Sequence, residues 1–265
     1  MARIKFKNPP ISELVIGVYF ERDLPAFRVE HIGLFWSRIR HEFPTVSQRP
    51  IIAPPPFVAG SPQFMTIELS DEQFPMPRFW FEAADGITLI QVQKNAFLFN
   101  WRKLDDDYPH FETVKVAFDK YLSVFLEFLA RDAKITTPNV RVAELTYINT
   151  VVPSEYWGGL RDTSLVLPMF QLPVVHNHDD PPAEFHQTSM QRFEDMFLST
   201  TVRSARSPKD ATKPALIFEL RALGVLNEAA TGDVDDWFER AHDTIGACFL
   251  SMTSPDIQKR FWEPG

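Results

Sequence analysis

Apolar and polar residues recur along the chain with two different periods, and together these periods predict a mixed α+β protein. Segments rich in β-branched and aromatic residues predict strands. Segments with apolar residues at every third and fourth position predict helices. The predicted strands are 11–20, 64–69, 78–83, 87–93, 96–101, 139–152, 164–175, 185–191, 196–203 and 214–220. The predicted helices are 26–42, a long helix after Tyr108-Pro109, and 233–252.

The long helix after Tyr108-Pro109 has the clearest pattern in the chain. Its apolar residues form one wide stripe, and charged residues occupy the opposite side. The stripe contains Phe111, Val114, Phe118, Tyr121, Leu122, Phe125, Phe128 and Leu129. A stripe of this width is typical of a helix that packs on a sheet.

The order of predicted elements repeats. Residues 1–136 and 137–265 each show a strand, a short or full helix, about four strands and a long helix. Pro10 and Tyr19 also match Pro138 and Tyr147 at a constant offset. The pattern predicts a duplicated β-α-β4-α unit, as in TBP-like and helix-grip folds, with antiparallel sheets each packed on a long helix. The alternative is one continuous α+β domain without a repeat.

Charge and cysteine content restrict the partners and the compartment. Among 265 residues, 35 are acidic and 27 are basic, giving a net charge of −8. This charge argues against nucleic acid as a partner, including DNA on a TBP-like saddle. Cys248 is the only cysteine, which fits a reducing cytoplasm. The sequence has no apolar stretch suited to a signal peptide or a membrane helix, so we expect a cytoplasmic protein that does not enter a membrane.

The sequence lacks the common catalytic and nucleotide-binding motifs. It has no G-x-G-x-x-G, no phosphate-binding loop, no G-x-S-x-G, no H-E-x-x-H and no pair of C-x-x-C motifs. It does have 24 Phe and six Trp, more than a polar site would use. Aromatic residues can line a pocket between a sheet and its helix, or cover a subunit interface. The sequence therefore favours a protein that is not an enzyme and needs no cofactor.

One polar cluster supports an alternative. His176, His178 and Asp179 lie close together, and His186 follows nearby. Imidazoles two positions apart on a strand share a face, so a divalent transition metal such as Zn or Mn is geometrically feasible. A metal-dependent, hydrolase-like enzyme would follow. The competing interpretation is an exposed polar loop closed by Pro181-Pro182.

Two charged stretches have simpler explanations. Residues 105–107 are three consecutive aspartates before the long helix, where acidic side chains favour the positive end of the helix dipole. Residues 203–209 contain two arginines and a lysine among small residues, and Lys213 follows them. We interpret this basic stretch as an exposed hairpin tip rather than a nucleic-acid site, because no aromatic residue alternates with the charges.

Several short motifs carry a resemblance to a known family. They are Phe6-Lys7-Asn8-Pro9-Pro10-Ile11-Ser12-Glu13, Gly33-Leu34-Phe35-Trp36, Asn100-Trp101-Arg102, Tyr108-Pro109, Tyr147-Ile148-Asn149, and Ala241-His242-x4-Ala247-x-Phe249 with Trp262. The chain thereby resembles a sporadically distributed family of bacterial proteins of about this length that have no assigned biochemical role. The resemblance implies a bacterial cytoplasmic protein and supplies no catalytic residue.

These observations leave two functional hypotheses. The first is a non-catalytic binding protein whose aromatic surface takes a protein partner, which includes a second copy of the chain in a homo-oligomer, or an apolar small molecule. The second is the metal-dependent enzyme built around His176, His178, Asp179 and His186.

Overall fold

A computed structural model describes residues 6–20, 24, 26–52, 76–104, 108–136, 138–171, 184–193, 195–226 and 234–264. It confirms the α+β class with a large antiparallel sheet. The strands are β1 (Ile11–Phe20), β2 (Thr45–Arg49), β3 (Arg78–Glu82), β4 (Thr88–Gln93), β5 (Ala96–Arg102), β6 (Val140–Val151), β7 (His186–Phe193), β8 (Met196–Arg206) and β9 (Pro214–Val225). The helices are α1 (Val29–Ile39), α2 (Phe111–Arg131), α3 (Thr163–Val166), α4 (Val234–Met252) and α5 (Pro255–Ile257).

All nine of these strands belong to one sheet, in the order β2-β3-β4-β5-β1-β6-β9-β8-β7. The expectation of separate sheets in the two halves is therefore wrong for the described strands. The halves meet where β1 pairs with β6 in antiparallel register, Leu14 lying opposite Tyr147. On its other side β1 pairs with β5. Each half thus places its first strand beside its last strand.

The long helices share one face of the sheet. α2 packs against β1 and β5, and α4 packs against β6 and β9. Rings from the helices meet above the sheet, Phe118 of α2 lying edge-on to Phe238 of α4 with centroids 5.5 Å apart. Phe35 of α1 packs on Phe125 at 5.1 Å. The apolar stripe predicted for α2 is buried in this shared core, as its spacing indicated.

Gly224 of β9 allows α4 to approach the sheet closely. A methyl group at this position would overlap the indole of Trp237. Trp237 is 1% exposed and lies in the shared core. The missing side chain therefore leaves the space that the largest side chain of α4 fills.

The opposite face of the sheet carries buried polar networks. Glu144 accepts hydrogen bonds from Tyr19 at 2.8 Å and from Arg221 at 2.6 Å. On the neighbouring strands Asn100 donates to Glu13 at 2.6 Å and accepts from Gln91 at 2.7 Å. Paired in this way, buried polar groups avoid the cost of unsatisfied hydrogen bonds.

The proposed equivalence of Tyr19 and Tyr147 in the two halves does not hold in the structure. Tyr19 bonds to Glu144 on the polar face, whereas Tyr147 bonds to His242 of α4 on the helix-covered face. Alternate strand residues point to opposite faces, so the two tyrosines cannot be equivalent positions. The pairing of each first strand with its last strand does not depend on this match.

Two segments differ from their predictions. The described part of the predicted strand 164–175 contains the end of α3 followed by a turn, with no strand up to residue 171. Val166 and Leu167 are apolar because they enter a second core cluster together with Trp157 and Trp262. The short strand β2 was not predicted. The predicted strand 64–69 lies outside the described residues.

Residues 262–264 lie beside residues 6–8, the first described residues of the chain. Residues 258–262 form a single π-helical turn after α5. The amides of Lys7 and Asn8 donate to the carbonyls of Glu263 and Trp262, at 2.9 and 3.0 Å. Phe6 packs edge-on against Trp262 with ring centroids 6.0 Å apart. This contact places Phe6 near the end of α4.

None of the helices in the described ranges combines the length and apolarity needed to span a bilayer.

Candidate functional site

A cavity of about 910 Å³ lies on the helix-covered side of the sheet. The start of α2 and the second half of α4 form its walls, and β6, β8 and β9 contribute its floor. Its aromatic lining consists of Phe6, Tyr108, Phe111, Tyr147, Phe193 and Phe249. Its aliphatic lining consists of Pro9, Ile11, Leu198, Leu220, Ile245 and Leu250. The lining of the cavity is therefore largely apolar.

A chain of three hydrogen-bonded side chains crosses this lining. The hydroxyls of Tyr108 and Tyr147 are 3.2 Å apart, and the Tyr147 hydroxyl is 2.8 Å from Nδ1 of His242. Burial raises the pKa of Tyr108, so its phenol stays protonated at neutral pH. The chain joins the segment before α2, the sheet and α4.

The ring of Phe111 holds His242 in this chain. The two rings stack with centroids 4.3 Å apart and an interplanar angle of 10°. Phe111 opens α2 and is 1% exposed, so its position is fixed by the core. The preceding residue, His110, has a φ of 68°, which turns the chain sharply into the helix. The local backbone thus brings Tyr108 and Phe111 to the same wall.

Asn149 adds a buried amide at the cavity wall. It is fully buried, and its Nδ2 donates to the carbonyl of Phe218 at 3.2 Å. Its Oδ1 has no partner among the described residues. An unsatisfied buried acceptor costs about 1–3 kcal/mol, which is unusual in a well-packed core. The Oδ1 atom is itself buried, so it does not face the open space of the cavity.

Cys248 places the chain's single thiol in the cavity lining. Burial raises the pKa of this thiol, which keeps it protonated. Its Sγ lies 3.5 Å from Sδ of Met252. A protonated thiol in an apolar wall is a poor nucleophile.

The structure does not test the predicted metal site, because only one of its four residues, His186, belongs to the described part of the chain. His176, His178 and Asp179 lie outside the described residues, as do Asp105, Asp106 and Asp107. His186 is exposed on β7, and its Nε2 is 3.1 Å from Oγ1 of Thr188. Within the described ranges, no three His, Cys, Asp or Glu side chains are grouped so as to hold a metal ion. The metal site at these four residues stays a prediction.

The basic stretch lies in the hairpin between β8 and β9, as expected. β8 extends to Arg206, and the amide of Ser207 donates to the carbonyl of Lys213 at 3.0 Å. Nζ of Lys213 lies 3.8 Å from a carboxylate oxygen of Asp210. The basic turn therefore contains an ion pair between Lys213 and Asp210.

The cavity gathers residues from motifs that are far apart in the sequence. Four of the motifs that carry the family resemblance contribute to its lining, although sequence reasoning assigned them no site. Their lining residues are Phe6, Pro9, Ile11, Tyr108, Tyr147, Asn149, His242, Ala247 and Phe249. No local pattern in the sequence indicates that these distant motifs meet in one site.

Comparison with known proteins supplies no assignment. The sequence matches no protein-family model, and no curated protein matches it. The geometry of the cavity is therefore the main indication of function.

Proposed function

We propose that the protein is a non-catalytic binding protein that holds a largely apolar small molecule in the cavity between the sheet and α2 and α4. The observation that carries this proposal is the cavity of about 910 Å³ with its aromatic lining. Small-molecule sites commonly have volumes of about 300–1,000 Å³, an apolar lining and a few placed polar groups. The hydrogen-bonded chain of Tyr108, Tyr147 and His242 would orient a polar end of the ligand.

Two of the polar groups of the lining are held in their neutral forms, which suits binding of an uncharged ligand. The Cys248 thiol is held protonated, and the Tyr108 phenol has a raised pKa, so neither supplies a ready nucleophile or base at neutral pH. The phenol hydroxyls remain good hydrogen-bond donors. A protein partner is the alternative occupant of the same aromatic surface.

Binding of phenylnaphthylamine, an uncharged dye that fluoresces in apolar surroundings, tests the proposal. We expect saturable binding of one dye molecule per chain. Ala247→Trp should weaken it at least tenfold, about 1.4 kcal/mol, because Ala247 is an exposed residue of the lining, where an indole would obstruct entry to the cavity. Val116→Trp is the control, since Val116 is 69% exposed on α2 and does not line the cavity.

Three results would count against the small-molecule proposal. They are absence of saturable binding, equal affinity in Ala247→Trp, and equal weakening in both variants. A native mass spectrum provides an independent check. A bound small molecule that is lost in Ala247→Trp supports the proposal, while a clean mass together with absent dye binding favours a protein partner.

The metal-dependent enzyme remains the second hypothesis, with its own test. Zn, Mn, Ni or Fe should raise the melting temperature by binding the folded state, and His176→Ala should abolish the shift. The same metals should leave phenylnaphthylamine binding unchanged if the two sites are separate. Absence of a shift with all four metals would end this hypothesis.

The duplication belongs with these proposals. The mirrored order of strands about the β1–β6 pair supports two related units of the TBP-like or helix-grip type, although the described second half has three strands after its short helix where the first half has four. An experimental structure tests it by superposition of β1, β5, β4 and α2 on β6, β9, β8 and α4. Failure of these elements to superpose in the same order and direction would contradict a shared unit.

Location and assembly are expectations of the same proposal. The single cysteine supports a reducing cytoplasm. β7 lies at the edge of the sheet and its residues are exposed, and such an open edge supports pairing with a second copy of the chain. Light scattering at several concentrations measures the assembly directly, and a mass that stays monomeric would exclude it.

A further inference from the structure

The pairing of β7 with β8 determines which backbone groups of β7 point out of the sheet. The amide of Ser204 donates to the carbonyl of Phe185 at 3.0 Å, so these two residues form a hydrogen-bonded pair of the antiparallel strands. Hydrogen-bonded pairs alternate along antiparallel strands, and the register of β7 with β8 is regular over all eight residues. The residues whose N–H and C=O groups point away from β8 are therefore His186, Thr188, Met190 and Arg192.

The two edges of the sheet differ in their protection against pairing with another chain. β2 has five residues and lies between Pro44 and Pro50, neither of which has an N–H to donate. β7 has eight residues, all exposed, and contains no proline, no lysine and no bulge. Pairing of β7 with β7 closes after two copies, whereas pairing of β7 with β2 would continue from copy to copy. β7 is therefore the edge suited to pair with its own copy.

The sequence of β7 is self-complementary about Ser189. In an antiparallel pair centred there, Ser189 faces its own hydroxyl, and Gln187 faces the amide of Gln191. His186 faces Arg192, so a neutral imidazole leaves no two like charges directly opposed. The outward backbone groups of the two copies also meet in this register, which allows about eight hydrogen bonds between them.

Apolar side chains on the helix-covered side of β7 widen this contact beyond the strand itself. Phe185 immediately precedes β7 and Phe193 ends it, and their even spacing places both rings on that side. Phe170 packs against Phe185 with ring centroids 5.5 Å apart, and the neighbouring Met169 is 86% exposed. Because specific dimers bury about 1,200–2,000 Å², these side chains supply area that a strand edge alone lacks.

Phe193 also lines the cavity and is 49% exposed. We propose that two copies of the chain pair through β7 about a two-fold axis at Ser189, and that Phe185 of each copy covers the cavity of the other beside Phe193. In this register Phe185 and Phe193 form a pair without mutual backbone hydrogen bonds, whose Cα atoms lie about 4.5 Å apart. The proposal rests on the proposed function, since it adds a residue of the second copy to the same cavity.

Cysteine cross-linking tests the register. In a Cys248→Ala background, Ser189→Cys should form a disulfide between copies under mild oxidation, because the two side chains face each other on the axis. Gln191→Cys alone should not cross-link, since about 14 Å would separate it from its equivalent. Gln191→Cys mixed with Gln187→Cys should cross-link. Equal cross-linking of Ser189→Cys and of Gln191→Cys alone would overturn the register.

Opposite charges on the axis test the dimer and its effect on the cavity. Ser189→Lys and Ser189→Asp should each be monomeric by light scattering, because each new charge faces itself, and an equimolar mixture should dimerise. Phenylnaphthylamine should bind each monomeric variant about two- to fivefold more weakly than the mixture, since Phe185 of the second copy is then absent from the cavity. Ser37→Lys, at an exposed serine of α1, is the control and should remain dimeric.

The outcomes separate this proposal from the proposed function. A mixture that stays monomeric overturns pairing through β7, while normal dye binding in the same samples keeps the cavity proposal. Equal dye affinity of the monomeric variants and the mixture overturns the placement of Phe185 at the cavity. If the dimer forms and cross-links as expected but no sample binds the dye, the cavity proposal fails and the pairing of β7 stands.

Discussion

The hydroxyl of Tyr147 lies 2.8 Å from Nδ1 of His242 and connects the middle of the sheet to α4. The same hydroxyl lies 3.2 Å from that of Tyr108. One oxygen atom therefore couples three segments of the chain at the cavity wall. Its removal should affect stability as well as ligand binding.

Tyr147→Phe should lower the free energy of unfolding by about 1 kcal/mol, because it removes a largely buried hydroxyl and its hydrogen bonds. Denaturant unfolding followed by tryptophan fluorescence measures this change. Tyr108→Phe removes one end of the chain and should have a smaller effect. Equal stability of Tyr147→Phe and the unmodified protein would show that the hydroxyl is not part of a stabilising contact.

Cys248 provides a direct report on the cavity. Because burial raises the pKa of its thiol, the reactive thiolate is scarce, and Ellman's reagent should react more slowly with the folded protein than with the unfolded chain at pH 8. Saturating phenylnaphthylamine should slow the reaction further. Ala247→Trp supplies the control, since a variant that binds the dye weakly should show little added protection by the dye. If Ellman's reagent reacts with the unmodified protein equally fast with and without the dye, the dye does not bind beside Cys248.

Glu219 on β9 should make the protein less stable as the pH rises. Burial raises the pKa of this carboxyl, so the folded state binds its proton more tightly than the unfolded chain. Stability is then lost as pH rises from the ordinary glutamate pKa through the raised value. Glu219→Gln should increase stability at pH 7 and flatten this part of the pH profile.

Glu42 provides a control, because its pKa is shifted in the opposite direction from that of Glu219. Hydrogen bonds from Tyr121 and Lys120 lower the pKa of its carboxyl. Its contribution is therefore present above the ordinary glutamate pKa and is lost as pH falls through the lowered value. Glu42→Gln should reduce stability at pH 7, with the difference disappearing in acid. Two variants that shift stability in the same direction at pH 7 would contradict the assigned environments.

Two glycines on facing elements should respond oppositely to alanine. A methyl group at Gly246, inside α4, would meet no other atom within 4 Å, so Gly246→Ala should raise stability by about 0.5–1 kcal/mol through helix propensity. Gly224→Ala should destabilise the protein, because the added methyl group collides with Trp237. Thermal unfolding of the two variants measures both signs. Stabilisation by Gly224→Ala would mean that α4 does not approach the sheet as described.

The sequence predicts elements with a strong period better than it predicts their assembly. The strand Ile11–Phe20 has the same boundaries in the sequence prediction and in the structure. The strand Thr45–Arg49 was missed because its residues are mostly exposed and lack an apolar alternation. The apolar residues Val166 and Leu167 were assigned to a strand, although they belong to a short helix and a turn within a second core. Periodicity indicates that a residue is buried, not what covers it.

The cavity was harder to predict for a related reason. Tyr108, Tyr147 and His242 belong to three segments that meet only through the sheet order and the placement of α4. Strand alternation predicts which face Tyr147 occupies, but no local pattern indicates that a helix almost 100 positions later covers it. The described part of the sequence-based metal site reduces to the single residue His186.

The place of β1 in the middle of the sheet has a consequence during synthesis. This strand leaves the ribosome first, but its partners β5 and β6 end at residues 102 and 151. At a synthesis rate of about 5–20 residues per second, roughly ten seconds pass between the synthesis of β1 and that of β6, its second partner strand. Throughout that interval its backbone is available to other unfolded chains, as an open sheet edge would be. Production of the protein in cells should therefore depend more on chaperone supply and translation rate than its final stability would indicate.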